Sequence, residues 1–555
     1  MLVFYIMFRE EIEKKLKKVA PKETNFLVSF APSEFGDYST NLALVWGKKE
    51  GKLPMEAAGE IIAGLKKDKK FSKIFSEIKA VSPGFINFRL SEKNWKEGVE
   101  EVLKKEEKFG QKNLGKSQKI NIEFVSANPT GPLTLGNGRS AAYGESLNRI
   151  LSFFDFKVTK EYYINDIGRQ VRILGESVAR RYLELEGQVV DFPEEMYQGV
   201  YIAEIAKDFK KEGAYHGSLD NFEELAGQAQ KYAVEKMILQ IKESLGRFGV
   251  KFDQWFRESD LAKKNKLKDV LNFLEFNNLS YEKDGALWFK GTEFGLDQDA
   301  VIRKSDGYTT YLLSDFAYAR NKASRNFDTS IYIFGADHHG DIPRIKAGLK
   351  ALGLEQSKFT FLLMQLVNLL EKGESVRMSK REGRFVTLDE LLEKVPADVA
   401  KFFFLSKSLD SHIDFDLELA KDESNRNPVY YIQYAFVRLK SILKKAQEIK
   451  FKGAKFKSLK KVDKDIAWHK WEGDVIRKLI QFPEVLEKIS KDYQIHQLTT
   501  YALDLAGLIN RFYEKSKVIG AEPKLEKARL ALVKSSAIVL GKSLELLGLS
   551  LPEKM

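Results

Sequence analysis

The sequence predicts an α/β fold centred on a doubly wound nucleotide-binding sheet, with a small mixed α+β domain before it and an all-helical bundle after it. Three observations carry this expectation. Residues 119–125 have a strand pattern, followed by a turn rich in Asn, Pro and Gly and a helical pattern from Arg139 to Leu151, the order that opens such a sheet. Strand signals return at residues 300–303, 330–334 and 360–363, each before a turn or helix, and are expected to supply the second half of the sheet. From about residue 421 to 555 helical periodicity dominates, broken only by a Lys-rich stretch at 444–464.

Taken in order, residues 1–113 read as the mixed domain: an amphipathic helix, a turn at Phe35-Gly36-Asp37, a helix from Ser39 and a strand at residues 84–90. A polar link at 110–117 leads into the nucleotide-binding unit, residues 114–380. Charged helical stretches at 193–274 interrupt its α/β pattern, so an insertion is expected at about 190–290. Residues 381–420 form a connecting region, and 421–555 the bundle. No internal repeat is found.

Composition bounds the function. A chain of 555 residues with 43% apolar content is too long for one core and too apolar for disorder, so three or four domains are expected. The 91 Lys and Arg against 79 Asp and Glu give a net charge of +12, which suits a polyanion such as nucleic acid and equally a solvated Lys-rich surface. The absence of cysteine excludes disulfides, thiolate zinc sites and cysteine nucleophiles. The apolar stretch at residues 1–8 is too short for a signal peptide, and the run at 359–370, interrupted by Gln365 and Asn368, reads as buried core rather than a membrane span.

The most specific stretch is Asn128-Pro129-Thr130-Gly131-Pro132-Leu133-Thr134-Leu135-Gly136-Asn137-Gly138-Arg139. Gly136 and Gly138 lack a Cβ, so backbone there can approach a nucleotide, and the following helix offers unpaired N–H groups to phosphate. On the glycines alone an ordinary βα loop is the better explanation of the turn. Extended upstream to Ile122-Glu123-Phe124-Val125-Ser126-Ala127, the stretch closely resembles the arginyl-tRNA synthetases, class I enzymes with a Rossmann-type catalytic domain, and the resemblance spans nearly the whole chain. It implies a catalytic domain with a connective insertion, an N-terminal domain that grips the outer corner of tRNA, and a helical anticodon-binding domain. It further implies an ATP-dependent ligase that joins arginine to tRNA(Arg) through an arginyl-adenylate, with ATP as its Mg2+ complex, no resident metal, no membrane, a monomer and the cytoplasm.

There is one departure. Where the family carries His-x-Gly-His, this chain has Thr134-Leu135-Gly136-Asn137. A hydroxyl and an amide can donate hydrogen bonds to phosphate, but neither can carry positive charge. By resemblance the ATP site comprises Pro132, Leu133, Thr134, Gly136 and Asn137, then Gly335, Asp337 and His338 in the Gly335-Ala336-Asp337-His338-His339-Gly340 loop, then Met378, Ser379 and Lys380 in Arg377-Met378-Ser379-Lys380, which is similar to the class I Lys-Met-Ser-Lys loop. Thr134, Gly136, Asn137, Arg377 and Lys380 are the catalytic candidates, the cations meeting charge that builds as pyrophosphate leaves. The adjacent histidines also invite a metal reading, weakened because neighbours on a strand point apart and no third ligand sits at a recognised spacing.

A pocket that selects a guanidinium needs fixed carboxylates and a flat neighbour. The resemblance assigns the guanidinium to Glu258, Tyr311 and Asp315, and the α-amino and carboxylate groups to Glu123, Ser126, Asn128 and Asp337. Tyr311 and Asp315, four apart, share a face if their segment is helical. For tRNA it implies Phe85 and Asn87 in the N-terminal domain, read as a stacking ring and a base-edge ligand, and Tyr430, Tyr434 and Tyr513 in the bundle. A buried Phe in a small sheet, and aromatics packed as bundle core, are the plainer alternatives. Two rival functions follow: a non-catalytic tRNA-binding relative, suggested by Thr134 and Asn137, and a class I synthetase for another amino acid, against which Glu258, Tyr311 and Asp315 argue.

Overall fold

The computed structural model describes residues 8–21, 23–32, 34–376, 386–449, 461–463 and 465–555. Arg377, Met378, Ser379 and Lys380 lie outside the described residues.

The chain opens with a helix, Phe8–Val19, whose Phe8, Ile12 and Leu16 are buried at the four-residue spacing of one helical face. It packs with helix Pro54–Lys66 near an antiparallel sheet of β1 (Val28–Phe30), β2 (Tyr38–Thr40), β3 (Phe75–Val81) and β4 (Phe85–Leu90), in the order β1-β2-β4-β3. Here the structure corrects one expectation: residues 38–40 are a strand, and the helix begins only at Leu42. Tyr38 and Thr40 alternate inward and pair with β4, so sheet burial overrides the local helical pattern. Gly36 is required beside them, because a Cβ there would lie 2.8 Å from the Phe88 carbonyl oxygen.

The central sheet contains β5 (Lys119–Glu123), β6 (Lys157–Ile164) and β7 (Gln254–Arg257). A separate antiparallel sheet follows, β8 (Ser280–Lys283), β9 (Ala286–Phe289) and β10 (Ala300–Arg303), and then the chain returns to the centre with β11 (Thr329–Gly335) and β12 (Phe359–Met364). The central order is β12-β11-β5-β6-β7, every pair parallel. Residues 300–303 were expected in this sheet and are not there: β10 pairs with β9 instead. The cause is local, since Asp284 and Gly285 at φ 53° and 72° turn β8 back on β9 and create an edge for β10.

From β5 the chain proceeds outward through β6 to β7 and returns on the other side of β5 as β11 and β12. The gap between β5 and β11 is therefore the topological switch point of an open α/β sheet, where ligands bind at the carboxyl ends of strands. Helices Arg169–Leu185, Val200–Lys211 and Phe222–Arg247 occupy the stretch between β6 and β7, where the charged helical pattern had suggested an insertion. A last small sheet, β13 (Val367–Glu371), β14 (Glu374–Ser375) and β15 (Ile413–Asp416), precedes the bundle of Pro428–Ile449, Lys470–Asp492, His496–Lys515 and Pro523–Leu546.

Both ends of the chain meet. Tyr38 donates to Glu484 Oε1 at 2.9 Å and Lys112 bonds Glu487 Oε2 at 2.7 Å, joining the N-terminal part to helix Lys470–Asp492. The helix after β5, Leu135–Phe153, is tied to the bundle as well, its Ser146 hydroxyl donating to the Leu546 carbonyl at 2.9 Å. Among the described residues no helix is long and apolar enough to cross a membrane.

Candidate active site

Several site residues come together because they follow the carboxyl ends of parallel strands. Ser126 and Asn128 come after β5, Asn165 after β6, Glu258 directly after β7, and Asp337 and His338 after β11. Strand spacing of about 4.8 Å sets these loops side by side.

After β5 the backbone turns sharply, with Val125 and Ser126 at φ 67° and 38°. A β-branched residue in that region is strained, and such strain persists where surroundings over-determine it. The surroundings are explicit: the Val125 N–H donates to Ser140 Oγ at 2.9 Å, the Ser126 N–H to the Phe124 carbonyl at 3.0 Å, and Ser126 Oγ accepts the Tyr163 N–H at 3.1 Å while lying 3.4 Å from Glu123 Oε1. The Asn128 amide donates to Gln170 at 2.7 Å.

The turn then reaches the N-terminus of the nineteen-residue helix Leu135–Phe153. Thr134 is its N-cap, and Thr134 and Asn137 form a reciprocal capping box. Asn137 Oδ1 accepts both the Thr134 N–H and hydroxyl at 2.9 Å, and the Asn137 N–H donates to Thr134 Oγ1 at 3.4 Å. The two residues that replace the family histidines thus hold each other, with the Thr134 hydroxyl proton directed at Asn137 and the Asn137 amide nitrogen left as the outward donor. The two glycines differ in kind. At Gly138 a Cβ would lie 2.8 Å from Leu388 and 3.0 Å from Phe404, so packing demands glycine; at Gly136 the nearest atom is Thr134 Oγ1 at 3.7 Å, and no protein neighbour does.

The segment just after the cationic motif docks on this turn. Thr387 forms a β-bridge with Thr134, and the Leu388 N–H donates to the Leu133 carbonyl at 2.8 Å. Leu133 is buried under it and Pro132 is partly exposed. Across the switch point, Gly335 ends β11 and Ala336–His338 form a 3-10 turn rather than the strand continuation assumed for the paired histidines. His338 Nδ1 lies 3.0 Å from Asp341 Oδ2, and Asp337 is exposed. Among the described residues no group of three or more His, Asp or Glu is arranged to hold a metal ion.

An acidic slot adjoins the crevice. Helix Tyr311–Ser324 carries Tyr311, exposed at its first position, and Asp315 one turn later on the same face. Glu258 is 4% exposed; Asn165, oriented with its amide nitrogen inward, donates to Glu258 Oε2 at 2.9 Å, and Ser314 and Tyr163 also hydrogen-bond it. Burial lifts Glu258 above the usual carboxylate range, with the Asp166 charge adding to it. Burial lifts Asp315 well above that range, reinforced by Asp341, Glu258 and Glu123. Among the described residues neither Glu258 nor Asp315 forms an ion pair, while Asp166, Asp341 and Glu123 nearby are held by Arg257, Arg344 and Lys322, so the place short of one cation lies between these two carboxylates. Tyr311 borders it: burial raises its phenol and the Glu258 charge adds to that.

Behind the slot, Glu123 is differently placed. Its Oε2 accepts from Lys322 Nζ at 2.5 Å and from the Tyr318 hydroxyl at 2.8 Å. Neither Tyr318 nor Lys322 stood out in the sequence, although both continue the Asp315 face at spacings of three and four. Asn165 and Ser314 were missed as well; only their positions next to a strand end and next to Asp315 could have drawn notice.

The residues expected to meet tRNA lie in the terminal parts of the chain. Phe85 is 38% exposed on β4 while Asn87, two residues on, is buried with Oδ1 unpartnered. Tyr434 and Tyr513 are exposed on two bundle helices and clasp Arg438, whose guanidinium carbon lies 4.5 Å and 4.1 Å from their ring centres. Tyr430 is half-buried.

A switch-point crevice, a nucleotide turn at a helix N-terminus and a helical bundle at the end of the chain are the parts of a class I aminoacyl-tRNA synthetase. The model of the "tRNA synthetases class I (R), catalytic domain" matches residues 98–401. The fold is shared even with a methionyl-tRNA synthetase from Mycobacterium tuberculosis, at TM-score 0.52 and 13% identity over 78% of this chain and 94% of the other. Within that class the chain belongs to the arginyl-tRNA synthetase family. The arginyl tRNA synthetase N-terminal domain model matches residues 7–90 and the DALR anticodon binding domain model 432–555. The arginine–tRNA ligase of Carboxydothermus hydrogenoformans is 42% identical over 99% of this chain and 96% of its own length, and that of Syntrophotalea carbinolica 40% over 95% and 94%. The Thermus thermophilus arginyl-tRNA synthetase structure superposes with TM-score 0.77 at 22% identity, covering 99% of this chain and all of the other.

Proposed function

We propose that this chain joins L-arginine to tRNA(Arg) in two steps at the switch-point crevice. The arginine carboxylate attacks the α-phosphate of MgATP, giving arginyl-adenylate and pyrophosphate; a ribose hydroxyl at the tRNA 3′ end then attacks the acyl carbon and AMP leaves. Mg2+ enters as the counter-ion of ATP. Positioning and charge stabilisation carry the rate, with no covalent intermediate on the protein.

The observation that carries this reading is the pair Glu258, buried, and Asp315, half-buried, two carboxylates beside the crevice that form no ion pair among the described residues. A guanidinium supplies the missing cation and fills it with planar, bidentate geometry, with Tyr311 as the flat neighbour. Glu123, Ser126, Asn128 and Asp337 orient the α-amino and carboxylate groups. ATP lies over Pro132 and Leu133 with its phosphates against the open Gly136 backbone, the helix N-terminus and the Asn137 amide; Thr134 holds that amide in place. Gly335, Asp337 and His338 border the adenosine, and the charges of Arg377 and Lys380, with Met378 and Ser379, serve the β and γ phosphates as pyrophosphate leaves. Phe85 and Asn87 contact the tRNA corner, and Tyr430, Tyr434 and Tyr513 the anticodon.

Aminoacylation of tRNA(Arg) compared across arginine, lysine and citrulline tests the reading. Arginine alone is expected to be charged, with citrulline rejected by a factor on the order of 10³ or more because it leaves the carboxylates unpaired. Equal use of lysine would remove the slot assignment, and tRNA binding without arginine-dependent turnover would mark a non-catalytic relative.

A further inference from the structure

Directly behind the acidic slot lies a second set of buried charges. Lys322 and Glu161 are fully buried, and Glu123 and Tyr318 nearly so. Besides its bond to Glu123, Lys322 Nζ lies 3.9 Å from Glu161 Oε1. The Tyr318 hydroxyl bridges, donating one bond shared between Glu123 and Glu161. Arg325 clamps Glu161 with two bonds of 2.5 and 2.9 Å, and Asn121 adds a third at 3.2 Å. Lys322 also sits 3.8 Å from the centre of the Tyr332 ring. Two carboxylates thus face two cations, and the set is neutral.

Such a set is costly to bury and contributes little net stability compared with apolar side chains of the same volume. Its geometry shows what it does instead. Lys322 and Tyr318 both take Glu123 Oε2, which fixes the carboxylate plane and leaves Oε1 beside the Ser126 hydroxyl at the strand end. Tyr318 and Lys322 stand on the helix that also presents Asp315, and Lys322 lies about 10 Å along the axis from it. One rigid element therefore sets the distance between the carboxylate that meets the guanidinium and the lysine behind the carboxylate that meets the α-amino group.

We propose that Lys322, seconded by Tyr318 and the Glu161–Arg325 pair, is a positioning residue for arginine: it neutralises and orients Glu123, so that the substrate's α-ammonium is held by the direction of one oxygen while net negative charge is confined to the guanidinium end. The two ends of the pocket then differ in how they hold a cation, and arginine enters in one orientation. This rests on the reading of Glu123 as the α-amino ligand.

The test is a double-mutant cycle of Lys322→Met and Glu123→Gln, followed through the KM for arginine, the KM for ATP and kcat. Each single change is expected to raise the arginine KM at least tenfold with the ATP KM within twofold, and the double variant to be no worse than Glu123→Gln alone. The inhibition constant of an arginine analogue lacking the α-amino group should be unchanged by Lys322→Met. Additive effects on arginine KM, or weaker binding of the des-amino analogue, would overturn the positioning role and leave Lys322 a structural cation. Should Lys322→Met not fold, Tyr318→Phe, which deletes one hydroxyl, runs the same cycle with the same two outcomes. An arginine KM unmoved by Glu123→Gln would instead sink the α-amino assignment of Glu123, an outcome separate from additivity.

Discussion

The helix Tyr311–Ser324 carries two groups of buried charge a few residues apart, and they are built on opposite plans. At its C-terminal end Lys322, with Arg325 just beyond, balances Glu123 and Glu161 through short, direct bonds. At its N-terminal end Asp315 and Glu258 feel each other's charge and neither forms an ion pair among the described residues. The balanced group is complete within the chain and needs nothing more. The unbalanced one is complete only with a cation from outside, and its place at the strand ends of a switch point says where that cation arrives.

The contrast is broken most severely by Asp315→Asn. Removing one of two unbalanced carboxylates should lower kcat/KM for arginine by a factor on the order of 10³ or more, and should raise the melting temperature of the free protein because an unfavourable buried charge is gone. A fall in melting temperature would mean that Asp315 is paired in the resting protein, and the contrast would fail. Lys322→Met should have the opposite sign for stability, since it strands Glu123 and Glu161 in the interior; a loss of about 3–5 kcal/mol is expected from breaking a buried pair, read from denaturant or thermal unfolding.

Acidity sharpens the comparison at constant sequence. Burial, with Asp341, Glu258, Glu123 and Asp166 as neighbouring anions, raises Asp315 and Glu258 above the usual carboxylate range, so as pH falls these groups take up protons before ordinary carboxylates do. The guanidinium binds the ionised pair. The KM for arginine should therefore rise as pH falls, by up to about tenfold per unit once a proton is held, while that for ATP stays flat over the same range. Parallel movement of both KM values would point to the phosphates rather than the slot.

How much of this was legible in the sequence depended on whether a feature is local. The β5 turn, the Thr134-to-Asn137 segment and the helix face of Tyr311 and Asp315 are contiguous patterns, and they stand where the pattern puts them. The helix expected from Ser39 begins only at Leu42, because β4, about fifty residues away, captures Tyr38 and Thr40 as a strand. The assignment of residues 300–303 to the central sheet failed for the same kind of reason, though Asp284-Gly285, a strong hairpin signal, was in plain view. The network behind Glu123 draws on four segments, and no spacing rule joins Asn121, Glu161 and Lys322 before the chain is folded.

A third buried carboxylate tests whether lack of a cation alone marks a ligand site. Glu484, inside helix Lys470–Asp492, accepts the Tyr38 hydroxyl and the Arg9 N–H on Oε1, while Oε2 has no partner. Burial pushes its pKa up to about 7, with Glu487 adding to that and Tyr38 and Arg9 opposing it. It sits where the N-terminal part meets helix Lys470–Asp492, outside the central sheet, and its partners Tyr38 and Arg9 come from the chain itself, so it is charge strained by packing and not by an awaited ligand. An acid whose folded pKa exceeds its unfolded value holds a proton that the unfolded chain has already lost. Its contribution to stability is whole below about 4.5 and is lost as pH rises through about 7. Glu484→Gln should therefore be as stable as the parent near pH 4 and more stable at pH 8, by on the order of 3 kcal/mol for a shift from 4.5 to about 7. Arginine KM should not move at either pH. If it did, the interface between the ends of the chain would be coupled to the slot, and unbalanced charge would mark a conformational link as readily as a binding site.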